Sequence, residues 1–579
     1  MKKLLLSFVA FATGLTSIAQ VSFYVNPPSM NSGNYSVMYE DATGLDWSMP
    51  DPADPANAVD DTLVIVQGVD SLGCDPLTNG TDINGQIAVV WRGDCQFGTK
   101  ALNAQNAGAI AVVIVNNDGE PVGMAGGDDG LSVTIPVFMI STSTGELLYN
   151  EIMGGATVTA FIGNKFGYFA NDIGINQKDV LRARQYATPI GLAQDNTEFE
   201  VNVGAWVYNY GVNTQANVTL NAKVTANASV LYDETSSAVA TIPSGDSVWI
   251  ALPTFSEATY SLGLYEMVYS VSSDSIDDFI DDNGLNADFL FTDNEYSYSR
   301  MDASNLEPSS NQFFQPSDFT STFGDCIHFT DANASRKTAT GLTFAATSAT
   351  GTTLDGQVLS VEAYEWQDAV TDINDAGFGI SLLNGVAIGE YTYATDDQGL
   401  AVSVLFDEQL ALEDNAHYIF CVISSSQDVF LGYDNGLDYD ENISGEDATG
   451  NVHGTGHVTS LVNNDGSYSG LGFGSDLSAA LVVNMLTTAE LGVDDNEVEL
   501  EKAYPNPAVN TLTIPLNGVD GAGTLNIVDL SGKLISTQQV NLSASKLLVD
   551  VSTIANGMYV FNLKLENGKS STFNVVVGK

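Results

Sequence analysis

The stretch Gly85-Gln86-Ile87-Ala88-Val89-Val90-Trp91-Arg92-Gly93-Asp94-Cys95-Gln96-Phe97, continued by Lys100, Asn103-Ala104-Gln105 and Ala107-Gly108-Ala109, decides how the front of this chain folds. Ile87 to Trp91 is a short unbroken apolar run, the mark of a strand buried on both faces. Phe97, Ala101, Ala104 and Gly108 then recur at helical spacing, and Gly108 stands where a helix stops. Ala109 to Val115 is a second apolar run, so strand, helix and strand follow within thirty residues. That order predicts parallel strands joined by a crossover helix. Ile135-Pro136-Val137-Phe138-Met139-Ile140-Ser141 supplies a further strand.

Working outward, Gly73-Cys74 precedes this core, and Val25-Asn26-Pro27-Pro28-Ser29 with Tyr35 opens it. Together these residues resemble the protease-associated domain family, through G-x-I-A-x-x-x-R-G-x-C-x-F, K-x-x-N-A-x-x-A-G-A and I-P-x-x-x-I-S. The resemblance covers about a quarter of the chain. It implies a domain that decorates peptidases and receptors and serves recognition or packing, without chemistry of its own.

Further along, the periodicity changes to two. Phe199, Val201, Val203, Ala205 and Val207 alternate with Glu200, Asn202, Gly204, Trp206 and Tyr208; Val218, Leu220, Ala222 and Val224 alternate again. Each predicts a half-buried antiparallel strand. With the turn at Pro243-Ser244-Gly245-Asp246-Ser247 and the strand at Tyr265–Val271, the span suggests an immunoglobulin-like sandwich. Strands predicted at Val358–Tyr364, Leu400–Phe406 and His417–Ile423 define a second β region, expected as a jelly roll. At the end, Tyr504-Pro505-Asn506-Pro507, Asp529-Leu530-Ser531-Gly532-Lys533 and Asn556-Gly557-Met558-Tyr559 punctuate short strands. These motifs resemble the type A sorting domain of the Bacteroidetes type IX secretion system. That resemblance implies a partner, the type IX machinery, engaged through residues 493–579.

The fold class read from the chain is therefore mainly β and multidomain. The expected division is a signal peptide at 1–19, a protease-associated domain at 20–165, an immunoglobulin-like sandwich at 166–305, a second sandwich at 306–488 and a sorting domain at 493–579. Lys2-Lys3, the apolar Leu4–Ala12 and Ser17-Ile18-Ala19 form the expected signal, cut before Gln20. No later apolar run is long enough to span a bilayer as a helix. The expected location is outside the cell or on its outer surface.

Four cysteines in an exported chain suggest disulfides, and pairing Cys74 with Cys95 and Cys326 with Cys421 keeps each bridge within one expected domain. With 72 Asp plus Glu against 18 Lys plus Arg, the formal charge of -54 repels phosphate backbones and argues against nucleic-acid binding. Two readings of the acidity stand: solvated acidic loops, or calcium held by clustered carboxylates. The candidate ligands are Asp277, Asp278, Asp281 and Asp282 in one cluster and Asp434, Asp438 and Asp440 in another.

No catalytic constellation is read. His453-Gly454-Thr455-Gly456-His457 contains a subtilisin-like H-G-T but lacks the accompanying Asp and Ser motifs, and is expected to be a surface loop. His328 and His417 fall in expected strands, and Gly470–Gly474 reads as a turn. The expected function is a non-enzymatic surface protein of binding or adhesive type with an unknown protein or glycan ligand. The alternatives are a secreted peptidase or peptidase-accessory protein, and a carbohydrate-binding surface protein using Trp366 and Tyr364 as a stacking platform.

Overall fold

The structure is a computed structural model, and it describes residues 21–39, 46–69, 71–317, 319–349, 351–488, 502–516, 521–529, 533–542, 545–565 and 570–578. The expected signal peptide lies outside these residues, as do Leu530 to Gly532 of the expected sorting motif.

The front region is one eight-stranded sheet with helices against it. Its centre is parallel: Val59–Ile65, Ile87–Trp91, Ala111–Val115 and Val137–Ile140 pair in that order, with Ile87 opposite Ala111. The unbroken apolar runs follow from burial on both faces. Ile87 and Val89 point into one core cluster, Ala88 and Val90 into another across the sheet. Helix Phe97–Asn106 buries Ala101 and Ala104 on the second face. Gly108 follows the helix with a φ of 94°, and a Cβ there would come within 2.4 Å of Asn84 Oδ1, so only glycine fits. The Cys74–Cys95 disulfide ties the loop before this strand to the turn before the helix.

Behind it stand two sheets sharing one core. Val201, Val203, Ala205 and Val207 are buried while Glu200 and Asn202 are exposed, as the alternation predicts. Gln215–Ala226 pairs with Gly263–Ser272, and Val201–Asn209 with Ser247–Phe255, placing Trp206 opposite Trp249. Lys165 sits at the junction with the front region, fully buried, its Nζ donating to Asp172 and Asp282 at 2.6 Å each. The rings of Tyr210 and Phe279 lie 4.3 and 4.2 Å from that ammonium.

The third region is built from a seven-stranded and a six-stranded sheet around the largest core cluster. Cys326 and Cys421 face each other in adjacent antiparallel strands and form the second disulfide. A packed seam joins the second and third regions. In strand Phe289–Thr292, Phe289 and Phe291 belong to the second region's core and Leu290 to the third's. Glu295–Tyr296 then pairs with Leu481–Thr487. A strand whose alternate residues serve two cores fixes the two regions against one another, and a cleft opens along this seam.

The last region is a small β domain in which a four-stranded and a two-stranded sheet enclose Leu512, Ile514, Leu525, Ile527, Phe561 and Val575. Among the described residues no helix is long and apolar enough to cross a membrane.

Candidate functional site

The seam is held by a reciprocal clamp. Arg182 N donates to Asn442 Oδ1 (3.1 Å), and Asn442 Nδ2 donates back to Arg182 O (2.8 Å). On one side, Leu181 N bonds Gly204 O, which fixes the 181–184 segment along strand Val201–Asn209. On the other side, the loop after short helix Asp440–Ser444 folds back beneath it: Thr455 N donates to Asn442 O and Gly456 N to Ile443 O, both at 2.9 Å. Gly456 has a φ of 63°, and a Cβ there would overlap Asp372. Between these walls lies a cavity of about 380 Å³, lined by Arg182, Arg184, Glu200, Asn202, His453 and His457 among others. The His453–His457 segment is therefore not the free surface loop expected from its sequence. Its backbone is hydrogen-bonded into the seam, and both histidines face the cavity.

Three of the four histidines in the chain gather beside Arg184. His328 Nδ1 lies 3.1 Å from Val458 O, an acceptor, so the network assigns its proton to Nδ1 and leaves Nε2 to accept from His417 Nδ1 at 2.8 Å. Arg184 Nη2 donates to His457 Nδ1 at 2.8 Å; a guanidinium has only donors, so the His457 proton is on Nε2, where it meets Tyr298 Oη. Burial pushes His328 down to about 3, helped by His417 and Arg184. Burial likewise holds His457 well below the usual imidazole range, with Arg184, His328 and His417 adding to it. Burial thus favours the neutral form of all three imidazoles.

The fourth histidine, His453, stacks on Trp249 with centroids 4.1 Å apart and planes 17° from parallel. Trp249 reaches that position by lying over Gly204, where a Cβ would come within 2.8 Å of its ring. His453 Nε2 meets the carboxyl of Glu441. Burial, then the charges of Asp179 and Asp440, push Glu441 up to about 8, while burial lowers His453. Both shifts favour a neutral carboxyl facing a neutral imidazole. Arg182 is buried, its Nη2 bonded to Gln177; Nε and Nη1 have no hydrogen-bond partner among the described residues.

The acidic residues singled out in the sequence lie elsewhere. Asp277 accepts from Ile173 N and Phe279 N, Asp278 from Asn171 N, and Asp281 from Asn34 N. Asp282 is spent on Lys165 and Asp434 on Arg300, while Asp438 accepts from Asp440 N. Among the described residues no group of three or more His, Cys, Asp or Glu side chains is arranged to hold a metal ion. Trp366 is 3% exposed and packs beside the Cys326–Cys421 bridge, so it is core and not a stacking platform. Tyr364 is half-buried, with its hydroxyl on Glu362.

Residues 59–148 match the family described as PA domain, and residues 502–577 match the secretion system C-terminal sorting domain. The chain thus carries a protease-associated domain at its front and a type IX sorting domain at its end. The sorting domain marks export to the cell surface or beyond. Among curated relatives, the chain is 36% identical over 101 residues to ER degradation-enhancing alpha-mannosidase-like protein 3 of Xenopus laevis, covering 16% of this chain and 11% of that protein. It is 38% identical over 94 residues to the probable leucine aminopeptidase 2 of Aspergillus fumigatus, covering 16% and 19%. The chain spans less than a fifth of the length of either relative. Among solved structures, an aminopeptidase from Aneurinibacillus sp. strain AM-1 aligns over 25% of this chain and 30% of its own, at 21% identity and a TM-score of 0.19.

Proposed function

We propose that this exported protein is a non-enzymatic binding protein and that its ligand seats in the cleft between the two inner β regions. The observation that carries this is the protonation pattern of the cleft. Its imidazoles are all pushed toward the neutral form, with His328 and His457 locked by fixed donors and acceptors. Glu441, pushed up to about 8, contacts His453 and is not itself among the residues lining the cavity. Groups arranged in this way offer a rigid set of hydrogen bonds to a ligand, with the imidazoles that face it held toward the neutral form. A protease-associated domain in front is consistent with a recognition role.

The test is a glycan and peptide array probed with the chain lacking residues 1–19, alongside Asn202→Trp, which places an indole in the cleft from an exposed strand position. A binder is expected for the unsubstituted chain and lost in the variant. Binding that survives Asn202→Trp places the ligand elsewhere and ends the proposal. Peptide hydrolysis that disappears in His457→Ala would put a secreted peptidase in its place.

A further inference from the structure

Charge is scarce in one sign here, and its placement is informative. The chain has five arginines, set against 72 acidic residues. Arg300 holds Asp434 at 2.7 Å and Arg336 holds Glu198 at 2.7 Å. Arg182 and Arg184, two residues apart on the cleft wall, have no carboxylate at ion-pair distance among the described residues. Arg182 is 3% exposed and lies over the Tyr439 ring, with two nitrogens that have no hydrogen-bond partner among the described residues. Arg184 is exposed, and among the described residues its hydrogen bond runs to His457 and not to a carboxylate. A buried guanidinium left without a counter-charge costs several kcal/mol unless something pairs with it. Arg92 also lacks an ion pair, but it stands apart in the front region, bonded to Asn116. Asp438 and Asp288 act on Arg182, and Asp331 on Arg184, only from beyond ion-pair distance, so one buried and one exposed guanidinium on the same cavity are placed to receive an incoming anion.

The rest of the lining narrows the anion. Asn202 on strand Val201–Asn209 and Glu200 just before it line the same space as Thr455 and Thr459, while Leu181 and Ile443 are its aliphatic part. The carboxylate of Glu200 accepts hydrogen bonds from neutral donors such as sugar hydroxyls. One acidic group beside several hydroxyls describes a uronic-acid sugar. The volume of about 380 Å³ is near the lower end of the ~300–1,000 Å³ usual for small-ligand sites and suits a terminal sugar unit. A peptide carboxy-terminus carries the same charge, but it needs an apolar slot for its side chain and a free strand edge for its amides. Beside the cleft, the edge of strand Val201–Asn209 is already occupied at Gly204 and Ala205 by the Val180–Leu181 segment, and on its other side by Ser247–Phe255.

We infer that the cleft binds a uronic-acid saccharide, its carboxylate received by Arg184 with Arg182 behind it and its hydroxyls by Glu200, Asn202 and the threonines. This inference rests on the proposal that the cleft is the ligand seat.

The experiment is calorimetric titration of the chain lacking residues 1–19 with tri-galacturonate, a neutral trisaccharide and a tripeptide. Tri-galacturonate is expected to bind, to weaken tenfold or more in Arg184→Gln at unchanged melting temperature, and to weaken with added salt. Glu200→Gln, which removes a like charge at an exposed site, is expected to bind it as tightly or more tightly. Failure of tri-galacturonate to bind, or binding indifferent to Arg184→Gln, overturns the inference. Equal affinity for the neutral trisaccharide overturns the role of the arginines, and preference for the tripeptide overturns the saccharide. In each of those cases, loss of whatever does bind in Asn202→Trp leaves the cleft standing as the seat, whereas its retention removes the cleft as well.

Discussion

Replacing Lys165 by Met isolates the charge that anchors the front region to the second. Its ammonium is fully buried and serves two carboxylates at 2.6 Å, Asp172 with no exposure and Asp282 with 6%. Methionine fills much the same volume, so the loss is one of charge and hydrogen bonds more than of packing. Removing one partner from a buried ionic group costs about 3–5 kcal/mol, because the remaining charge is left desolvated. For a unit of ~150–250 residues this lowers the melting transition by roughly 6–20 °C. The loss must also depend on pH. Burial raises Asp172 to about 6 and Asp282 to about 7, even with Lys165 present. A carboxyl whose folded pKa exceeds its unfolded value binds protons preferentially in the fold. Its contribution is greatest below about pH 4 and is lost as pH rises through the folded value. Lys165→Met therefore costs less at pH 5 than at pH 8, and adding Asp172→Asn and Asp282→Asn recovers most of the loss. Scanning calorimetry on the full exported chain at both pH values reads this. A loss below about 1 kcal/mol at pH 8, or the same loss at both, refutes the reasoning.

Other expectations follow from the same geometry. Gly204→Ala drives a methyl against Trp249, breaks its stack on His453 and costs about 1–3 kcal/mol; a shift in tryptophan emission with a lower melting temperature checks it. Removing Cys326–Cys421 with paired alanines opens a link across 95 residues, worth about 2–4 kcal/mol, read as a lower denaturant midpoint under non-reducing conditions. Because Glu441 is raised to about 8, its protonated form belongs to the fold, so melting temperature falls from pH 6 to 9 and that fall flattens in Glu441→Gln. Identical profiles in the two proteins would contradict this.

What could be read from the sequence was local. The parallel core around Ile87–Trp91 and the alternation of Val201–Val207 are written in consecutive residues, and the sorting domain in short motifs around its turns. The cleft is not. Arg184 and His457 are 273 positions apart, and Arg182 and Asn442 260, so no window along the chain contains the site. His453-Gly454-Thr455-Gly456-His457 looks like a loop because it is one locally; only the return of the 181–184 segment along the seam makes it a wall. Trp366 misled in the opposite direction. Strand Val358–Trp366 runs between two neighbours, so its face at Trp366 packs over the disulfide rather than meeting solvent. Of the signals available, the arginine pair at 182 and 184, in so acidic a chain, was the one that could have marked the site.

The most direct measurement is hydrogen–deuterium exchange on the exported chain, with and without the strongest array binder. A ligand seated in the cleft slows exchange in residues 181–184, 200–204 and 453–459 together, three segments that meet only there. Protection confined to the front domain, around residues 92–97, or absent from any one of the three would contradict the account.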